Sequence, residues 1–134
     1  GMGNILRGDD GLGVYALRAL AENPPAGADL LELGTSLSDC FSVIENYGHI
    51  VALDAVAAGG TPGSLHWLPK ERFARMHAAR LDIAALRGRE PVLHVAGMEP
   101  ANWQDWSTEL SLPVKEAFPA YLAMIRARVG ELAG

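Results

Sequence analysis

Short apolar runs alternate with helix-like patterns along this chain, and this alternation limits the fold more than any other feature. Four apolar stretches predict strands, at residues 30–33, 50–53, 65–68 and 91–96. Turn-forming residues separate these stretches from segments with helical spacing. Strands that alternate with helices indicate parallel βαβ units with right-handed crossovers. The predicted fold class is α/β, a three-layer, open, twisted and mostly parallel sheet with helices on both faces.

The helical segments differ in how clearly they are marked. Apolar residues recur at helical spacing in residues 14–21, 37–44 and, more weakly, 77–87. The last segment, residues 114–132, is the clearest, because its apolar residues recur three and four apart and form one stripe that faces a core. Pro119 lies inside this segment and is predicted to kink its first turns or to mark the true start of the helix.

The size and charge of the chain exclude several classes of protein. Its 134 residues predict a single domain over residues 1–134, with Gly1 as the remnant of a purification tag. A net charge of −5 argues against nucleic acid as a partner. No apolar run is long enough to cross a membrane, so a cytoplasmic protein is expected. Cys40 is the sole cysteine, which excludes an intrachain disulfide and a zinc site built from cysteines.

The start of the chain leaves little room for the first strand of such a sheet. Residues 1–3 are all that precede Asn4 and the glycine-rich turn. If that strand is central, its absence leaves the backbone groups of both neighbouring strands unpaired. We therefore expect either that native N-terminal residues are missing, or that a homodimer repairs the gap.

Two adjacent acidic residues stand directly before the first helical segment. A carboxylate near a helix N-terminus is favoured by the helix dipole, and one aspartate can cap the helix. Asp9 is predicted to be this cap. Because only one of the two can cap, Asp10 is predicted to have a functional role.

Asp54 and His77 are the other candidate site residues. Asp54 ends the apolar run of residues 50–53, and ligands of open α/β sheets bind outside the carboxyl ends of the strands. His77 follows the strand at 65–68, on a connection expected at the same end, whereas His66 and His94 are interpreted as ordinary sheet residues. Two carboxylates and one imidazole suit a borderline divalent ion such as nickel or zinc.

Two further features have less specific interpretations. The glycine-rich turn before a helix also occurs in nucleotide-binding domains, although Asp9 and Asp10 place negative charge where a phosphate would bind. Trp103 and Trp106 are interpreted as packing a loop over the sheet edge, with a docking surface for a protein partner as the alternative.

Several motifs together resemble the hydrogenase maturation endopeptidases. The opening signature is GNILRGDDGLG at residues 3–13. Shorter matches follow along nearly the whole chain: GT at 34–35, DAV at 54–56, GGTPGS at 59–64, GMEP at 97–100 and LSLP at 110–113. The combination of the opening signature with the DAV and GGTPG segments is specific, although no single motif would be.

The resemblance implies a function and a set of site residues. The family removes a C-terminal extension from the large-subunit precursor of nickel–iron hydrogenase, so this chain is expected to be a peptidase. Asp10, Asp54 and His77 match the positions that contact the metal and are expected to form the catalytic site. The nickel would arrive with the substrate, and no organic cofactor is expected. The alternatives are an inactive module that binds metal or precursor and, less favoured, a nucleotide-binding domain.

The resemblance also implies the order of the strands. The family's sheet has the order 2-1-3-4-5, which would place Asp10 and Asp54 at the ends of adjacent central strands.

Overall fold

The computed structural model describes residues 1–35, 46–69, 71 and 91–134, and these have the predicted α/β architecture. In chain order, a short 3-10 helix (Gly8–Gly11) leads into helix α1 (Leu12–Ala21). Strands β1 (His49–Ala55), β2 (Leu65–Pro69) and β3 (Val92–Met98) follow, and helix α2 (Leu112–Ala133) ends the chain. The helices predicted at 37–44 and 77–87 fall on residues outside the described ranges.

The sheet is mixed, and its strand order differs from the one implied by the resemblance. The described strands have the order β1-β3-β2. Strands β1 and β3 are parallel, whereas β2 is antiparallel to β3. The expected order of the last two strands is therefore wrong. The burial of the strands accounts for β3, and not β2, lying next to β1. The second half of β3 is fully buried and suits an interior position, whereas no residue of β2 is fully buried.

Residues 1–3 lie between β1 and the segment at 30–34, which forms a single bridge to Met2 and not the regular strand predicted at 30–33, and they are hydrogen-bonded to both. On one side, the Met2 N–H donates to the Leu53 carbonyl of β1 at 3.0 Å. On the other side, the Leu33 N–H donates to Gly1 and the Gly3 N–H donates to Gly34, both at 2.9 Å. These three residues therefore take the place of the first strand. The proposed missing residues and the repairing homodimer stay predictions.

Both described α-helices contribute to one hydrophobic core against the sheet. Leu12 and Leu20 of α1 and Ile125 of α2 pack in one cluster with Leu53 of β1. Helix α1 crosses the sheet at Gly13, where an added Cβ would lie 1.9 Å from the Leu53 carbonyl oxygen. A second cluster, formed by Met2, Ala52, Val56 and Val95, includes the strand residues that alternate with those of the first core. None of the described helices is both long and apolar enough to cross a membrane.

Helix α2 confirms the predicted apolar stripe but not the expected role of its internal proline. Val114, Tyr121 and Ile125 are buried along one side. The helix begins at Leu112 and continues through Pro119, so Pro119 does not mark its start. Pro113 occupies the first turn instead, where its missing N–H has no helical partner to lose.

Candidate active site

The candidate site lies at one edge of the sheet, which we call the carboxyl edge. It consists of the ends of β1 and β3, the start of the antiparallel β2, and the opening loop at residues 3–11. Asp54 stands near the end of β1, and its side chain is fully buried. One of its carboxylate oxygens, Oδ1, accepts the Ala55 N–H at 2.9 Å. Because burying a carboxylate costs free energy, a buried aspartate at a strand end is a candidate functional group.

Asp10 lies in the 3-10 helix of the opening loop and is half-buried. Its Oδ2 accepts the Asn4 N–H at 2.9 Å, which fixes the carboxylate against the turn. The turn depends on Gly3, whose φ of +115° favours glycine and where an added Cβ would lie 1.7 Å from the Asp10 carbonyl oxygen. The glycine of the opening signature therefore permits the close approach that holds Asp10 in place.

The structure brings Asp10 and Asp54 to the same edge of the sheet. Met2 is hydrogen-bonded to Leu53, the neighbour of Asp54, and Gly3 contacts Asp10. The two acidic residues therefore both border the short segment formed by Met2 and Gly3. Two carboxylates placed in this way can supply oxygen ligands to a divalent cation.

The third candidate, His77, lies outside the described residues. Within the described ranges, no group of three or more histidine, cysteine, aspartate or glutamate side chains is arranged to hold a metal ion. The proposed three-residue metal site therefore stays a prediction, with two of its members placed.

Asp9 does not cap helix α1, and that prediction is wrong. The N-cap residue of α1 is Gly11, which forms no side-chain capping bond. The Asp9 carboxylate is fully buried and accepts four hydrogen bonds from residues 101–111. The donors are the Ala101 N–H at 2.8 Å, the Asn102 N–H at 3.0 Å, and the N–H and hydroxyl of Ser111, both at 2.7 Å. Asp9 therefore fastens the loop at 101–111 to the opening loop.

The tryptophans of this loop are more exposed than the sequence predicts. Trp106 is 70% exposed, so the expectation that it packs over the sheet edge is wrong. The Arg7 guanidinium lies over its ring, 4.6 Å from the ring centre. Backbone hydrogen bonds from Gly8 to Ser107 and from Ser107 to Leu6 hold the loop, both at 2.8 Å. Because these bonds and Asp9 already hold the loop, its tryptophans do not have to be buried.

A glutamate and a histidine at the carboxyl edge were not identified from the sequence. The Glu99 side chain is almost fully buried, and its Oε2 lies 2.8 Å from His66 Nε2. Both carboxylate oxygens also lie 3.0 Å from the Ala58 N–H. Burial raises the pKa of Glu99, but hydrogen bonds from Ala58, His66 and Gly60 more than offset this and hold the pKa below its ordinary value. Glu99 is therefore a carboxylate at neutral pH. The GMEP motif was the available signal, but nothing in it indicates a histidine partner.

A pair of histidines lies at the opposite end of the sheet. His49 Nδ1 is 3.2 Å from His94 Nε2, and the two rings are stacked. The His94 ring also stacks on Trp67, with 5.2 Å between the ring centres. Burial, followed by the charge of His49, lowers the pKa of His94. His94 is therefore a packed sheet residue, as predicted, and lies far from the carboxyl edge.

Comparison with known proteins assigns the chain to a family. A model of the hydrogenase maturation protease family matches residues 14–128, which is most of the chain. The chain is a hydrogenase maturation protease by family. The matched residues include Asp54 and His77. They begin after Asp10, so the argument that Asp10 belongs to the site rests on the geometry of the opening loop.

Individual members of the hydrogenase maturation protease family agree with this assignment. The hydrogenase expression/formation protein HupM from Azotobacter chroococcum mcd 1 is 28% identical over 146 residues, which covers 98% of this chain and 70% of the relative. The NiFe hydrogenase maturation protease HybD from Thermococcus kodakarensis is 27% identical, with a TM-score of 0.76 and coverage of 99% and 95%. The hydrogenase maturating endopeptidase HybD from E. coli has the same fold, with a TM-score of 0.85, 24% identity and coverage of 98% and 90%.

Proposed function

We propose that this hydrogenase maturation protease is an endopeptidase that removes a C-terminal extension from the large-subunit precursor of a nickel–iron hydrogenase. The observation that carries the proposal is that Asp10 and Asp54 both border the segment of Met2 and Gly3 at the carboxyl edge of the sheet. Family membership over residues 14–128 supports the reaction class. The names of relatives such as the hydrogenase maturating endopeptidase from E. coli support the type of substrate.

In this proposal, the nickel belongs to the substrate and serves as its recognition element. Asp10 and Asp54 would contact the nickel of the loaded precursor, and His77 would supply the nitrogen ligand. Carboxylate and imidazole donors suit nickel. The Asp10 carboxylate is half-buried and oriented by Asn4, so it can approach a metal that enters with the substrate with little rearrangement. A precursor without nickel would lack the contact that places its peptide bond at the carboxyl edge.

The proposed reaction is a hydrolysis. Water adds to the carbonyl carbon of the peptide bond, the bond to nitrogen breaks, and the leaving amine takes up a proton. The described residues at this edge supply carboxylates and one imidazole, and the lone cysteine, Cys40, lies outside the described ranges. The proposal uses water as the nucleophile and includes no covalent intermediate.

Cleavage of a purified precursor tests the proposal directly. The precursor is prepared with and without nickel and incubated with this chain, and the released peptide is measured by mass spectrometry. We expect cleavage of the nickel-loaded form alone. Asp10→Asn and Asp54→Asn should each lower the rate at least about 100-fold, because each loses a charged ligand of the substrate metal. Glu116→Gln, which removes a charge from an exposed position on α2, is the matched control and should not change the rate.

The same experiment separates the alternatives. An inactive binding module would retain the nickel-loaded precursor on a column but release no peptide. A nucleotide-binding domain would leave the precursor unbound, and added nucleotide would raise the melting temperature of this chain. Equal cleavage of the nickel-free and nickel-loaded precursors would contradict nickel as the recognition element.

A further inference from the structure

The antiparallel direction of β2 places His66 at the carboxyl edge. In a parallel strand, a residue next to the start would lie at the opposite end of the sheet. Here His66 pairs with Gly97 of β3, and Gly97 pairs with Asp54 of β1. The three residues form one row across the sheet, and side chains of directly paired residues lie on the same face. His66 and Asp54 therefore share a face and a level of the sheet.

Glu99 holds the His66 ring in one orientation. The carboxylate is nearly buried, fixed by the Ala58 N–H, and 2.8 Å from His66 Nε2. Because an ionised carboxylate only accepts hydrogen bonds, Nε2 carries the hydrogen and donates it to Glu99. In the neutral ring, Nδ1 then keeps its lone pair and can accept a proton.

The burial of the two side chains differs in a way that suits a reactive ring. The Glu99 side chain is 6% exposed, whereas the His66 side chain is 18% exposed. Glu99 also ties the loop that precedes β2 to the end of β3, because its backbone accepts from Gly63 at 2.8 Å and donates to Ser64 at 2.9 Å. The histidine therefore has a rigid partner on one side and remains reachable from solvent.

The spacing within the row separates His66 from the proposed metal contact. Two neighbouring strand spacings of about 4.8 Å place the Cα atoms of His66 and Asp54 about 10 Å apart. Gly97 lies between them without a side chain, and a methyl group of Val56 packs over it. Because this methyl group occupies the space between the two side chains and His66 Nε2 is hydrogen-bonded to Glu99, His66 is not placed among the metal contacts in this proposal. An extended peptide rises about 3.3 Å per residue, so a substrate held at the carboxylates reaches His66 about three residues along its chain.

We propose that His66 is the general base of the hydrolysis and that Glu99 is its positioning residue. The inference rests on the proposed function, since it concerns the same reaction. His66 Nδ1 takes a proton from the attacking water as the water oxygen bonds to the carbonyl carbon. The bond from that carbon to nitrogen then breaks, and the proton passes from the ring to the leaving amine. The products are a carboxylic acid and an amine, and His66 returns to its neutral form.

Two substitutions of His66 separate a chemical role from a structural one. His66→Ala removes the whole ring. His66→Gln keeps a side-chain N–H that can donate to Glu99, but its amide oxygen is too weakly basic to take a proton from water. In single-turnover cleavage of the nickel-loaded precursor, both variants should lose about 10²–10⁴-fold in rate. Their affinity for the precursor should be unchanged, and added imidazole should restore part of the activity of His66→Ala. His49→Ala, at the opposite end of the sheet, is the matched control and should cleave at the wild-type rate.

The positioning role of Glu99 has a readout that does not depend on the substrate. In the wild-type protein, nitrogen chemical shifts of the His66 ring should show the hydrogen on Nε2. Glu99→Gln should weaken this preference and lower the cleavage rate by less than the His66 substitutions do.

Each outcome supports or overturns the inference. A wild-type rate in His66→Gln would overturn it, because that variant keeps the hydrogen bond and loses only the base. Loss of activity in His66→Ala alone would likewise indicate a structural role. If the wild-type chain leaves the precursor intact, the proposed function fails and this inference fails with it, whereas nickel-dependent cleavage that is insensitive to His66 refutes the inference alone.

Discussion

Substitution of Asp9 by asparagine tests how the loop at 101–111 is held to the rest of the protein. The Asp9 carboxylate is fully buried, and Oδ1 accepts the Ser111 N–H at 2.7 Å. Oδ2 accepts the N–H groups of Ala101 and Asn102 and the Ser111 hydroxyl, at 2.7–3.0 Å. An asparagine has nearly the same shape, so the substitution changes the hydrogen bonding with little change in packing.

The expected loss of stability follows from counting these bonds. If the asparagine oxygen takes the position of Oδ2, its NH₂ group faces the Ser111 N–H, donor against donor. A buried N–H without an acceptor costs about 1–3 kcal/mol. The other three bonds lose their charge assistance, at roughly 0.5 kcal/mol each. Asp9→Asn should therefore lower the free energy of unfolding by about 3 kcal/mol, which corresponds to roughly 10 °C in melting temperature for a chain of this size.

Urea denaturation followed by circular dichroism measures the loss of unfolding free energy. A second substitution measures how much of that loss comes from the hydrogen bond of the Ser111 hydroxyl. Ser111→Ala removes the hydroxyl donor and should cost about 1–2 kcal/mol in the wild-type background but almost nothing when Asp9 is already alanine. Amide hydrogen exchange should be faster at Ala101, Asn102 and Ser111 in Asp9→Asn. A loss below 1 kcal/mol, or equal costs of Ser111→Ala in both backgrounds, would refute the claim that Asp9 holds this loop.

Two further predictions concern packing and alkaline stability. Gly13→Ala should destabilise the fold by at least about 2 kcal/mol in urea denaturation, since its Cβ would lie 1.9 Å from the Leu53 carbonyl oxygen. At Gly130 an added Cβ would meet no atom within 4 Å, so Gly130→Ala should instead stabilise α2 by about 0.5–1 kcal/mol. A similar loss of unfolding free energy in Gly13→Ala and Gly130→Ala would contradict this reasoning. Burial raises the pKa of Tyr121 above its ordinary 10.0, so only the unfolded chain releases that proton and stability should fall above about pH 10. Tyr121→Phe should make this alkaline decline in melting temperature shallower. At neutral pH the same variant loses a buried hydrogen bond worth about 1 kcal/mol. An unchanged alkaline decline would refute the assignment of this decline to Tyr121.

The opening loop shows how far sequence reasoning reaches toward the site. A pair of acidic residues before a helix was recognisable from local chemistry, and one of them was expected to have a role beyond capping. The assignment of the cap to Asp9 was wrong because its acceptors face donors about 100 residues further along the chain, at Ala101 and Ser111. No local pattern contains that information. Asp10 differs, because its partner Asn4 lies in the same loop, and its functional role stays a prediction.

The position of His66 depends on the path of the whole chain. Residues 65–68 were correctly predicted as a strand, and an apolar run is enough for that prediction. Its direction is a property of the sheet, because the same run forms a parallel or an antiparallel strand according to the connection that precedes it. The pairing with Gly97 was therefore not available from the sequence, and His66 was interpreted as an ordinary sheet residue.

The sequence by itself determined the α/β class, the order of the described elements and the presence of Asp10 and Asp54 at a turn and a strand end. Hydrophobic periodicity and turn chemistry act over a few residues, so a single chain displays them directly. Only the tertiary structure decided which strands are neighbours, which way β2 runs, and that His66 and Glu99 stand at the same edge as Asp54. These features are set by hydrogen bonds and packing between distant segments, which form only when the chain has folded.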